Sequence, residues 1–121
     1  MNEDIVTYRD LEAWKVSMDL CELLYELTDA FPVKEQYGLT SQMRRAVVSI
    51  PSNIAEGQGR KGSKEFLHHL SIAKGSLCEI ETQIILAVRL KFLSKTDGET
   101  LWNKSQEAGR LLNGLIRSLR K

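Results

Sequence analysis

The sequence predicts an all-α protein: one domain over residues 1–121, folded as an antiparallel up-down-up-down four-helix bundle. Three observations predict it. Apolar residues recur at steps of three and four through most of the chain, no strand-like alternation persists, and only two prolines occur in 121 residues. A chain of this length buries roughly two thirds of its unfolded surface, enough for one core. Start and stop signals divide it into helices at about 8–31, 40–57, 63–91 and 96–119.

The first helix opens on Thr7-Tyr8-Arg9-Asp10, which has capping-box spacing, with Val6 and Leu11 placed to form a hydrophobic staple. Pro32 stops it after Phe31. This helix carries two apolar seams. One is Leu11, Trp14, Met18, Cys21, Tyr25 and Thr28; the other is Ala13, Val16, Leu20, Leu23, Leu24, Leu27 and Phe31. On a helical wheel their centres lie roughly 140° apart, and the polar remainder covers only about a third of the circumference. One seam faces the bundle core. The other needs a further partner, which a second copy of the chain supplies; enclosure within a monomer is the alternative. The oligomer interface is assigned to Ala13, Val16, Leu20, Leu24 and Leu27.

The second helix has the stripe Leu39, Met43, Ala46, Val47, Ile50 and Ile54, with Pro51 expected to remove one backbone hydrogen bond and bend the axis. A polar ridge of Arg45, Ser49, Ser52 and Glu56, with Gln42 and Asn53 beside it, flanks that stripe. It reads as an internal network of Arg45, Ser49, Asn53 and Glu56 that reaches Glu79 or Gln83 of the third helix. A buried small-ligand site is the rival reading, but it lacks a matching nucleophile or metal set. The third helix starts at Ser63, a good N-cap residue, and its seam is Phe66, Leu70, Ala73, Leu77, Ile80, Ile84 and Val88. Thr96-Asp97-Gly98-Glu99 is a capping box for the fourth, whose seam is Leu101, Ala108, Leu112, Leu115 and Leu119. Short connections make consecutive helices antiparallel neighbours in a bundle about 30 Å long.

The net charge is only +1, but residues up to Glu35 carry −6 and those from Gln36 onward carry +7. Such a split serves contacts between unlike surfaces of an oligomer, leaves a basic face for a polyanion, or merely solvates helix faces. Cys21 and Cys78 sit among apolar neighbours, as buried free thiols of a reducing compartment do. No apolar run approaches the ~20 residues of a membrane span. Met1-Asn2-Glu3-Asp4 is acidic where a signal peptide is basic, so a cytoplasmic location and no membrane contact are expected.

The tract RRAVVSIPSNIAEGQGRKGSKEF, then IAKGSLCEIETQI, the ending GRLLNGLIRSLRK and the opening YRDLEAWKVSMDL resemble the bacterial four-helix-bundle family of 23S rRNA intervening-sequence proteins. The resemblance runs from about Tyr8 to Lys121, and SIPSNIAEG followed by a basic turn is its most specific block. These proteins are similar to the accessory variability determinants of diversity-generating retroelements. The resemblance implies a homo-oligomeric ring, a homopentamer, with a role linked to nucleic acid and a reverse-transcriptase-like or other protein partner. It implies no catalytic residues.

Gly57-Gln58-Gly59-Arg60-Lys61-Gly62 matches G-x-G-x-x-G, but a helix precedes it and no βαβ unit surrounds it, so it reads as a helix-ending turn. Arg60, Lys61 and Lys64 surround the start of the third helix, where free backbone N–H groups favour anions. Arg110, Arg117 and Lys121 line one face of the fourth, with Arg120 adjacent; cations there also complement the helix dipole. With Arg44, these form the expected phosphate-binding set: Arg44, Arg60, Lys61, Lys64, Arg110, Arg117, Arg120 and Lys121. His68 and His69 diverge by about 100° and read as surface residues. Glu65 and His69 offer two metal positions and no third, so neither metal nor cofactor is expected. No nucleophile elbow or His-acid pair is visible, so no enzymatic activity is expected. The reading is a non-enzymatic, homo-oligomeric protein holding RNA or DNA on a basic surface; the alternative is a protein-binding scaffold without nucleic acid.

Overall fold

The computed structural model describes residues 7–120. Four helices follow one another: α1 (Glu12–Thr28), α2 (Leu39–Gln58), α3 (Ser63–Arg89) and α4 (Lys95–Leu119), with 3₁₀ turns at Tyr8–Asp10 and Val33–Glu35. Among the described residues there is no strand. α1 packs against α2 and α4, and α3 packs against the same two, so the helices occupy the corners of a square. Val6, the acidic start and Lys121 lie outside the described residues.

The core runs along the axis of that square. Leu20 and Leu24 of α1, Met43, Val47, Ile50 and Ile54 of α2, Leu70 and Ile80 of α3, and Leu101 and Leu112 of α4 are almost completely buried. The α2 stripe matches expectation throughout. In α4, Ile116 takes the place in the core expected for Leu115 and Leu119, which are only half-buried. Ser17, Thr28 and Ser105 are buried too, and each hydroxyl donates back to a carbonyl of its own helix: Ala13, Leu24 and Trp102, at 2.6, 2.7 and 2.7 Å. That bond removes the cost of an unpaired hydroxyl in the core.

Three helix ends differ from the sequence reading. The first helix is broken at Leu11, whose backbone is extended (φ −78°, ψ 128°), so the Thr7–Asp10 box caps a 3₁₀ turn and not α1. There the Thr7 backbone N–H donates to Asp10 Oδ2 at 3.2 Å. The break lets Tyr8 fold onto Trp14, with ring centroids 5.4 Å apart at 65°. α4 is capped by Ser94, whose hydroxyl accepts from the Asp97 backbone N–H at 3.0 Å. α3 begins at Ser63 itself, because Gly62 (φ 89°, ψ 154°) takes the cap position at a positive φ where side chains are strained.

Candidate nucleic-acid interface and association face

α1 shows first which surface is left over. Ala13, Val16, Leu20 and Leu24, assigned above to the oligomer interface, are buried inside the single chain, and Leu27 is half-buried. This is a correction, and its cause is geometric. α1 touches α2 on one side and α4 on the other, so its buried arc covers about half the helix, centred on Ala13, Leu20 and Leu24. The other seam turns towards α2. Cys21 and Thr28 are buried against it, whereas Met18 and Tyr25 remain 36% and 42% exposed. Tyr8, Trp14, Met18, Cys21, Val48, Pro51, Ser52 and Ala55 together line a shallow groove between α1 and α2 that is almost entirely apolar.

The polar ridge of α2 meets α3 on the opposite flank. Ser76 Oγ donates to Ser49 Oγ at 2.9 Å, and Asn53 Nδ2 donates to Ser49 Oγ at 3.0 Å and to Ser49 O at 2.8 Å. Asn53 Oδ1 accepts from His69 Nδ1 at 3.1 Å, Glu56 Oε1 lies 4.0 Å from that nitrogen, and Arg60 Nη2 donates to Glu56 Oε2 at 2.9 Å. Ser49, Asn53 and Glu56 thus form one continuous polar seam. Arg45 and Glu79 line the adjoining groove with Gln42, Ala46, Ser49 and Ser76, without a hydrogen bond between them. His69 is the residue that sequence reasoning missed: it is not on the surface, its side chain being only 13% exposed. A signal for it exists. His69, Ser76 and Gln83 recur every seven residues on α3, as Gln42, Ser49 and Glu56 do on α2. Two polar columns at heptad spacing mark facing flanks.

Gly57 fixes how closely these two helices approach. A Cβ placed there would lie 2.7 Å from His69 Cβ and 2.9 Å from Phe66 Cδ1. The glycines of the G-x-G-x-x-G stretch therefore serve packing and turning, at Gly57 and Gly62.

Of the expected phosphate-binding cations, Arg44 is committed elsewhere. Its Nε donates to Thr28 Oγ1 at 3.0 Å, and its Nη2 donates to Tyr25 O at 3.1 Å and to Asp29 Oδ1 at 2.9 Å. Its guanidinium also lies 4.5 Å from the Tyr25 ring centroid. It caps the carbonyl end of α1, a structural role, and this corrects its assignment. The others among the described residues, Arg60, Lys61, Lys64, Arg110, Arg117 and Arg120, lie on the surface. Because α2 and α4 run in the same direction, the α2–α3 turn and the C-terminus of α4 share one end of the bundle. That end gathers Arg60, Lys61 and Lys64 with Arg117 and Arg120, all exposed. Arg110 stands about two turns further along α4. Among the described residues Lys61, Lys64, Arg110, Arg117 and Arg120 make no ion pair.

The two cysteines differ. Cys21 is buried, and its thiol is pushed from 9.0 up to about 12, chiefly by desolvation and further by the charge of Glu22. Cys78 is exposed, against expectation, because it lies at the α3–α4 edge and not in the core. Among the described residues no three His, Cys, Asp or Glu side chains are grouped to hold a metal ion. Nor is any helix among them long and apolar enough to cross a membrane.

Comparison with known proteins places this architecture. A protein of unknown function from the S23 ribosomal protein family of Bacteroides thetaiotaomicron VPI-5482 has a similar crystal structure, with TM-score 0.78 and 26% identity over 86% of this chain and 97% of that one. No curated protein matches. The model of the 23S rRNA-intervening sequence protein family matches residues 9–114, nearly the whole bundle, and the chain belongs to that family.

Proposed function

We propose that this protein is a non-enzymatic, self-associating scaffold that holds nucleic acid on the basic end of its bundle. The observation that carries the reading is the convergence of Arg60, Lys61 and Lys64 with Arg117 and Arg120, from segments far apart in sequence, on one exposed end. Lys61, Lys64, Arg117 and Arg120, solvated and without an ion pair among the described residues, suit phosphate contacts made without regard to base sequence, and Arg60 stands beside them on its Glu56 partner. The apolar α1–α2 groove supports assembly, and a ring of copies, five in the fullest form of this reading, repeats the basic end around its axis. A non-catalytic role is supported by the polar seam, where Ser49, Asn53, His69 and Glu56 satisfy one another.

The test is a titration of single-stranded RNA and DNA at several salt concentrations. The log–log slope of affinity against salt should be about −0.7 per phosphate neutralised. Reversing Arg60 and Lys61 to Glu should abolish binding and leave the helical circular dichroism intact. Binding indifferent to both salt and those substitutions overturns the reading. The second reading, a protein-binding scaffold for a polymerase-like or other partner, is favoured by the same apolar groove around Trp14, Met18 and Val48. A protein partner whose capture survives nuclease treatment would support it.

A further inference from the structure

A second place in the molecule has the chemistry of an anion seat. α3 and α4 leave a groove of about 220 Å³ between them, lined by Lys74, Cys78 and Glu81 on one side and Gln106, Arg110 and Asn113 on the other. Leu77, Leu112 and Gly109 form its floor. Gly109 lets the two helices close on that floor: a Cβ there would lie only 3.1 Å from Leu77 Cδ2.

The polar groups are sorted along the groove. Gln106 Nε2 donates to Glu81 Oε2 at 2.6 Å, so the carboxylate is already engaged at one end. This contact and that of Gly109 with Leu77 set the antiparallel register, which brings Lys74 level with Asn113 and leaves Arg110 one turn away. Along the axis Lys74 therefore stands about 10 Å from Glu81, and Arg110, on the side nearer that carboxylate, about 6 Å. Among the described residues, the side chains of Lys74, Arg110 and Asn113 have no hydrogen-bond or ion-pair partner. Two cations and an amide thus converge from two helices, without an acid between them, over an apolar floor.

We infer that this groove seats one phosphate of a nucleic-acid strand, held by Lys74 and Arg110 with the Asn113 amide donating to a further oxygen. The inference rests on the nucleic-acid reading above and extends it from the end of the bundle to its α3–α4 side. Arg110 provides the continuity, lying on α4 above Arg117. Lys74 and Asn113 are new members of the contact surface. The separation of charge within the groove gives the strand a direction. Phosphates run from the Lys74 end towards Arg117 and Lys64, away from Glu81.

Cys78 provides the test, because it lines the groove and is exposed, whereas the thiol of Cys21 is buried and held protonated. The rate at which N-ethylmaleimide modifies Cys78 is measured in the full chain with and without a single-stranded oligonucleotide, whose binding is followed separately by anisotropy. At a strand concentration about ten times its Kd, modification should slow about tenfold, since only unoccupied protein reacts. In Lys74→Gln/Arg110→Gln the protection should vanish while the strand still binds through Arg60, Lys61 and Lys64. A strand that binds without protecting Cys78, or protects the double variant equally, overturns the groove and leaves the basic-end reading standing. Absence of strand binding at low salt overturns both. Protection by inorganic phosphate or a nucleoside monophosphate, with none by the strand, overturns the strand assignment and makes the ligand a small phosphate.

Discussion

Cys21 donates its thiol hydrogen to the backbone carbonyl of Val47, with Sγ 3.3 Å from the oxygen. That carbonyl lies four residues before Pro51, which has no N–H to give it. A side chain of α1 thus completes a backbone bond that α2 cannot make for itself.

The folded protein holds the Cys21 thiol protonated to about pH 12, whereas the unfolded chain releases that proton near 9.0. Between these values the native state binds more protons than the unfolded state, so stability falls as pH rises. The slope from this group is at most about 1.4 kcal/mol per pH unit. Cys21→Ala should be about 1–3 kcal/mol less stable at neutral pH, having lost a buried sulfur and a hydrogen bond. Urea unfolding from pH 8 to 11 should show the two stability curves converging above pH 9. Parallel curves would contradict the assignment.

Gly57→Ala should destabilise the bundle by about 1–3 kcal/mol, since its Cβ would press on the fixed Cβ of His69 and must drive α2 and α3 apart. Chemical denaturation measures the loss. An equally stable variant would mean that the two helices slide apart without cost.

Arg44 and the cations of the basic end should separate cleanly. Arg44→Ala should cost about 1–2 kcal/mol of stability, through loss of the α1 cap and of the stacking on Tyr25, with RNA affinity unchanged. Arg60→Glu with Lys61→Glu should leave the melting temperature nearly unchanged and remove RNA binding. Thermal melts and anisotropy on the same samples decide it.

Association should depend on the α1–α2 groove and not on the core seam. Met18→Glu or Val48→Glu places a charge on a half-exposed apolar surface, at 36% and 40% exposure. Light scattering should show smaller assemblies, with helical content preserved. Leu20→Glu should instead unfold the chain, because that side chain is fully buried.

The sequence by itself determined the four helices, their antiparallel order and most of the core, because apolar spacing of three and four is a local property that survives in any packing. Met43, Ala46, Val47, Ile50 and Ile54 all lie where their spacing puts them. The polar ridge was legible for the same reason, and so was the family. Only the tertiary structure decided which seam of α1 is core, since both are apolar and the choice depends on where α2 and α4 stand. The break at Leu11 escaped because a capping box serves a 3₁₀ turn as well as an α-helix. Arg44 and His69 were misplaced because their partners, Tyr25 and Asn53, lie on other helices. Contacts between distant segments have no periodicity to betray them. The groove holding Lys74, Arg110 and Asn113 exists only once α3 and α4 settle into register.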